Sequence, residues 1–332
     1  MRIAIATDAW SPQVNGVVTT LTQTRNELVA QGHEVLMVTP EGRRTMPCPT
    51  YPEIRLVVFG GKAIARELDE FEPDCVHIAT EGSVGLVVRR YCLKRKLRFT
   101  TAYHTQFPEY VRARMPIPVS WTTPLLRWFH GPGERILVPS ESIREVLLGR
   151  GFSDVVIWSR GVGTQVFNPD TAINYDLPRP IWVYLGRVAV EKNIEAFLDL
   201  DIEGSKVVIG DGPDFARLRS RYGHCHFVGY KFGADLAAHL AGADVFVFPS
   251  KTDTFGIVLL ESMACGLPIA AYPVTGPIDV VRDGETGALD DDLAKACRRA
   301  LQISSSNCIR FAETRSWRRC TEQFVSHLAY NV

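Results

Sequence analysis

Short apolar runs alternate with amphipathic segments along almost the whole chain, and no other feature constrains the fold as much. In the first half the apolar runs fall at 2–6, 34–39, 54–59, 74–78, 98–102, 136–139 and 155–158. Helical patterns at 16–31, 63–71, 85–96 and 141–150 separate most of them. Strands that alternate with helices need right-handed crossovers and build a mostly parallel sheet. The pattern pauses at 161–180, where Gly, Asn, Asp and Pro cluster, and resumes with strands at 181–185, 207–209, 226–228, 245–248 and 269–271. A chain of 332 residues fits two domains of about 150 to 170 residues each. The expected architecture is therefore α/β: two tandem Rossmann-like, doubly wound parallel-sheet domains. The first spans 1–165 and a linker 166–180. The second spans 181–315, and a closing helix at 316–332 packs back on the first domain. Ligands in such sheets bind beyond the carboxyl ends of the strands, which places the expected active site in an interdomain cleft.

Bulk properties remove several function classes. Lys plus Arg and Asp plus Glu number 37 each, so net charge gives no argument for nucleic acid. Residues 85–150 hold twelve Lys/Arg against four Asp/Glu, a local excess suited either to an anionic partner or membrane surface or to a plain solvated face. No 18-residue apolar stretch and no signal-like N-terminus is found, so the expected location is cytoplasmic, peripheral on the inner face of the cytoplasmic membrane. The eight cysteines (48, 75, 92, 225, 265, 297, 308, 320) form no Cys-x-x-Cys pair and read as reduced thiols.

The densest chemistry lies at 249–266, Pro-Ser-Lys-Thr-Asp-Thr-Phe-Gly-Ile-Val-Leu-Leu-Glu-Ser-Met-Ala-Cys-Gly. A strand runs into a polar loop that opens an apolar helix. The eight-residue spacing of Asp253 and Glu261 is just over two helical turns, which puts both carboxylates on one face. A helix N-terminus attracts anions and a carboxylate grips neutral hydroxyls, a combination suited to a sugar joined to a phosphate.

Further motifs follow strands. In Gly186-Arg187-Val188-Ala189-Val190-Glu191-Lys192-Asn193, Arg187 offers a forked contact to phosphate oxygens and Lys192 a point charge; a solvated loop with an Arg–Glu pair is the plainer reading. Gly210-Asp211-Gly212-Pro213 is either a close backbone approach to a ligand or a tight turn. Phe at 215 breaks a dinucleotide fingerprint there, and no Walker-type loop occurs. Asn15-Gly16-Val17 opens the first long helix, as a phosphate contact or only as a cap. Tyr103-His104-Thr105 follows a strand, where His104 can donate to a sugar hydroxyl. The segment 110–130 mixes Arg112, Arg114 and Arg127 with Trp121, Leu125, Leu126, Trp128 and Phe129, and suits either a membrane interface or domain packing.

Together these residues resemble the retaining glycosyltransferase family 4, whose two-Rossmann architecture is termed GT-B, and the match runs over nearly the whole chain. The resemblance implies that Gly16, with Val17, contacts the distal phosphate, that Arg187 and Lys192 hold the diphosphate, that Glu261 binds the ribose hydroxyls, and that His104 and Asp253 hold the donor hexose. Gly186, Gly210, Gly212, Thr254, Phe255 and Gly256 complete the implied donor site, and Tyr103, Glu109, Trp121, Arg127 and Trp128 the implied acceptor and membrane side. The family carries Glu where this chain has Asp253, one methylene shorter. The run 252–256 with 271–280 is similar to a bacterial branch that glycosylates diacylglycerol.

The expected activity is transfer of a hexose or hexuronic acid from a UDP- or GDP-sugar to an acceptor hydroxyl, with retained configuration. The expected acceptor is a membrane lipid such as diacylglycerol. No cofactor and no metal is expected, and no nucleic-acid partner. A GDP-mannose-dependent mannosyltransferase, a sugar-nucleotide epimerase and a catalytically silent sugar-nucleotide binder are the alternatives.

Overall fold

The computed structural model describes residues 1–48, 54–104 and 119–331; side chains of residues 119–121 are likewise outside the description. The chain divides into two compact units, Met1–Ser159 with Trp317–Val332, and Arg160–Ser316.

In the first unit the strands are β1 (Arg2–Ala6), β2 (Glu34–Val38), β3 (Thr45–Pro47), β4 (Arg55–Val57), β5 (Cys75–Ile78), β6 (Thr100–Ala102), β7 (Arg135–Val138) and β8 (Val155–Ile157). Six of them form a sheet in the order β2-β1-β5-β6-β7-β8, and every pairing is parallel. The apolar run at 54–59 does not join it. Its central residues form β4, which pairs antiparallel with β3 in a separate hairpin. Burial on both faces explains the apolar run Ile3–Ala6 of β1 and why β5, apolar but for His77, is fully covered.

The final helix, Trp317–His327, belongs to this unit. Phe324 is fully buried, 4.7 Å from the Trp158 ring and 4.9 Å from His77. Gln323 accepts the Ser159 N–H at 2.9 Å, and Arg135 donates to the His327 carbonyl at 3.0 Å.

The second unit holds β9 (Ile181–Leu185), β10 (Ser205–Ile209), β11 (His226–Gly229), β12 (Val245–Phe248), β13 (Ile269–Ala271) and β14 (Gly287–Leu289). Their order, β11-β10-β9-β12-β13-β14, is all parallel. Residues 166–180, expected as a linker, pack here. Phe167, Tyr175 and Leu177 lie on the apolar core, Ile173 N–H donates to Ala238 O at 3.0 Å, and the Tyr175 hydroxyl donates to His239 O at 3.0 Å. Gly and Pro in that stretch mark turns on a packed surface rather than a free connection. The chain passes between units at 159/160 and again at 316/317.

The cysteines form no disulfide among the described residues. Burial pushes Cys75 up to about 11 and Cys92, Cys265, Cys297 and Cys308 to about 12, values at which a thiol is inert.

Candidate active site

In a doubly wound sheet the connections run outward on either side of one switch point, and the loops there splay to leave a crevice. In the second unit that point lies between β9 and β12. The loop after β9 carries Gly186, Arg187 and a short 3-10 turn, Val190–Lys192; the loop after β12 carries 249–256. Three bonds tie the loops together. Lys192 Nζ donates to Asp253 Oδ1 at 2.5 Å, Asn193 Nδ2 to Pro249 O at 3.0 Å, and Thr252 Oγ1 to Glu191 O at 3.2 Å. The Arg187 carbonyl accepts the Tyr184 hydroxyl at 2.8 Å, which fixes the backbone under the guanidinium.

The Lys192–Asp253 pair is mostly buried, with 21% and 15% of the side chains exposed. The second carboxylate oxygen, Asp253 Oδ2, is buried and has no hydrogen-bond partner among the described residues. Leaving such an acceptor unfilled costs about 1–3 kcal/mol. A hydroxyl placed there recovers that energy, and an anion beside Lys192 shares its charge. Asp253 thus meets the lysine with one oxygen and leaves the other without a donor.

Asp253 and Glu261 do not share a helical face. The helix is Ile257–Ala264, and Gly256, at φ 78°, stands before it in the left-handed region. Asp253 therefore lies in the loop, and helical spacing does not govern its relation to Glu261. Burial pushes the Glu261 carboxyl up to about 7. Phe255 is buried in the core rather than presented to a ligand, and Thr254 follows Asp253 in the loop.

The two glycines at 210 and 212 have a packing reason. A Cβ on Gly210 would sit 2.0 Å from Gly186 O, and one on Gly212 would sit 2.5 Å from Val188 O. The loop after β10 thus lies directly on the loop that carries Arg187, and their first effect is on that loop's shape. Beyond β11, the exposed rings of Tyr230 and Phe232 stack at 5.8 Å.

In the first unit the switch point lies between β1 and β5. Asp8, just past β1, is 3% exposed. Its carboxylate accepts from Ser83 Oγ at 2.7 Å, Val84 N at 2.9 Å, Thr80 Oγ1 at 3.1 Å and Gly85 N at 3.4 Å. It thereby caps the helix Ser83–Arg95 from across the sheet. Burial raises its pKa and these bonds oppose the rise. A Cβ on Gly82 would lie 2.4 Å from that carboxylate. Glu81 follows β5, with 30% of its side chain exposed, and its Oε1 lies 3.3 Å from Nε2 of the buried His130.

Gly16 begins the helix Gly16–Ala30, and Asn15 Oδ1 accepts from Val17 N and Val18 N at 3.0 Å each. The Val17 N–H is therefore spent on the cap; the cap does not use Gly16. His104 stands two residues past β6, 9% exposed, its ring 5.5 Å from Trp158. Tyr103, expected on the acceptor side, is 1% exposed and packs with Leu126, Ile136 and Val138, so it is a core residue. Arg127 donates to the Arg150 carbonyl, which gives it a packing role, whereas Trp128 is 54% exposed under the Arg89 guanidinium at 4.1 Å. Glu109 and the Trp121 side chain lie outside the described residues.

Sequence reasoning passed over Asp8, Glu81 and His130. A search for acidic residues within three positions of each strand's carboxyl end finds the first two. His130 is joined to Glu81 only by the fold.

Comparison with known proteins agrees with this construction. The model described as Glycosyltransferase Family 4 matches residues 14–166, and that described as Glycosyl transferases group 1 matches 179–303. A GDP-mannose-dependent alpha-mannosyltransferase of Mycobacterium tuberculosis is 31% identical over 316 residues, covering 87% of this chain and 83% of the relative. An alpha-monoglucosyldiacylglycerol synthase of Streptococcus pneumoniae is 28% identical, over 91% of this chain and 78% of the relative. Sucrose-phosphate synthase from Thermosynechococcus elongatus superposes with TM-score 0.77 at 20% identity, over 98% of this chain and 97% of that one. HepE from Anabaena, solved with UDP and glucose, superposes with TM-score 0.69 at 15% identity, over 98% of each chain.

Two parallel-sheet Rossmann-like units with these neighbours define the GT-B fold. The chain belongs to glycosyltransferase family 4, and its substrates include a nucleotide sugar.

Proposed function

We propose that this protein transfers a hexose from a nucleoside-diphosphate sugar to a hydroxyl of a membrane lipid, retaining the anomeric configuration and needing no divalent metal. The observation that carries the donor side is the Lys192–Asp253 pair at the switch crevice, whose second carboxylate oxygen is buried and has no donor of its own among the described residues. In this reading Arg187 and Lys192 take the charge that develops on the departing diphosphate, and Asp253 Oδ2 holds a donor sugar hydroxyl. Glu261 accepts from the ribose, and His104 donates to the hexose. Gly186 and Gly256 shape the loops, and the first turn of Gly16–Ala30 receives the distal phosphate. A front-side displacement in which the leaving phosphate oxygen takes the acceptor proton keeps the configuration.

The lipid side is supported by the names of relatives and by surface chemistry. The helix Ser83–Arg95 exposes Leu86, Arg90, Leu93 and Lys94 along one stripe. The helix Val119–His130 adds exposed Leu125 and Trp128, and Arg89 clamps the two by donating to Phe129 O at 2.9 Å and Trp128 O at 2.6 Å. Apolar side chains among cations suit an anionic bilayer surface. No helix among the described residues is long and apolar enough to cross a membrane. GDP-mannose is the leading donor to try, because the mycobacterial relative is named for it.

Nucleotide release from UDP- and GDP-sugars, in EDTA, with and without diacylglycerol in mixed micelles, tests this reading. Lipid-dependent release is expected. Release only with added Mg²⁺ removes the metal-independent part, and release indifferent to every lipid removes the acceptor.

A further inference from the structure

Of the two carboxylates at the first unit's switch crevice, Asp8 is consumed by the helix it caps and Glu81 is not. Glu81 follows β5 by three residues, and its side chain is half-buried. Its Oε1 is 3.3 Å from His130 Nε2. His130 closes the helix Val119–His130, is 1% exposed, and sets its Nδ1 2.8 Å from Thr101 Oγ1 on β6. Phe129 and Phe152 pack edge-on against the imidazole at 5.1 and 6.3 Å. The Thr101 contact holds the ring in place, and Glu81 Oε1 lies beside it at 3.3 Å, with 30% of the glutamate side chain left exposed past the carboxyl end of β5, where open α/β sheets take ligands.

We infer that Glu81 binds the acceptor, accepting a hydrogen bond from a hydroxyl, and that His130 is its positioning residue. This rests on the glycosyl-transfer reading above and deepens it. A carboxylate accepts from hydroxyls and repels phosphate, so the acceptor's head at this point is a neutral polyol, a glycerol or a pyranose, and not a phosphate ester. No proton transfer is assigned to Glu81; it orients the hydroxyl group.

The test is Glu81→Gln in the full chain, with His130→Gln and the double variant beside it. Three acceptor probes are used with the donor that wild type turns over: dioleoylglycerol in mixed micelles, methyl α-glucoside, and phosphatidylinositol. For Glu81→Gln the KM for a neutral acceptor should rise about tenfold, the loss of one charge-assisted bond. Donor affinity and acceptor-independent hydrolysis should stay at wild-type values. His130→Gln should shift the same parameter, and the double variant should be no worse than Glu81→Gln alone. A thermal midpoint for each variant separates this split from misfolding, and Glu81→Gln, at a half-exposed site, carries the test by itself. An unchanged acceptor KM in Glu81→Gln, or donor affinity falling in parallel, overturns the inference while the transferase reading stands. A wild type that glycosylates only phosphatidylinositol overturns it too. Wild type that releases no nucleotide with any donor or acceptor overturns both.

Discussion

The two six-stranded sheets have the same switch point and fill it with opposite chemistry. In the second unit the crevice loops carry Arg187 and Lys192, with one short carboxylate pinned to the lysine. In the first the crevice holds two carboxylates, Asp8 buried under four donors and Glu81 backed by a histidine. The fold supplies the place, and the first residues past each strand decide which ligand charge is welcome there. A cationic crevice suits a leaving diphosphate and an acidic one suits hydroxyls.

The sharpest way to break this comparison is to remove the charge on the cationic side. Lys192→Ala should lower kcat about 10²- to 10³-fold, because the charge meeting the developing phosphate anion is gone. Turnover near wild type, measured with saturating donor, would remove the assignment.

On the acidic side, Asp8→Ala strands the Ser83 hydroxyl and the Val84 amide in a buried site. It should cost about 2–4 kcal/mol in denaturant unfolding of the first unit. A smaller loss would mean that Asp8 is replaceable by water.

The pH response sharpens the contrast further. Glu261, lifted to about 7 from an ordinary 4.5, binds its proton more tightly when folded. Its contribution to stability is complete below about pH 4.5 and is lost as pH rises through about 7. That loss amounts to about 3 kcal/mol at most, and Glu261→Gln should flatten the profile. A profile that does not change in the glutamine variant sinks this account.

Gly210→Ala probes the loop beneath Arg187. The added methyl meets Gly186 O, and unfolding should become easier by about 1–3 kcal/mol. Wild-type stability in that variant would mean that the two loops can separate without cost.

The smallest effect belongs to the surface: Trp128→Ala should weaken binding to anionic vesicles a few-fold and leave soluble-donor hydrolysis unchanged. Unaltered vesicle binding would take this helix out of the membrane reading.

Much of the fold was legible because its cause is local. Apolar runs such as 2–6 and 181–185 are β1 and β9, and polar residues just past the strands are where the loops are. The errors share one cause, which is contact between distant residues. Helical arithmetic joined Asp253 to Glu261, but Gly256 starts the helix too late for it, and the actual partner of Asp253 is Lys192, 61 residues earlier. Residues 166–180 have the composition of a linker and yet are held by Ala238 and His239. Tyr103 beside His104 reads as a site residue, but it is 1% exposed and packs among Leu126, Ile136 and Val138, which lie more than 20 residues downstream. Glu81 and His130, 49 residues apart, have no sequence signal in common.

The return of residues 317–331 to the first unit has a consequence for synthesis. The second unit is one uninterrupted stretch, 160–316, and can complete its contacts as soon as it has left the ribosome. The first cannot: Trp158 and His77 wait for Phe324, and Asp74 waits for Asn331, more than 250 residues downstream. The earlier-made unit is therefore the later to close, and during that interval an aromatic seam stands open on it. A chain that stalls before Trp317 would present this seam to chaperones and to other copies of itself.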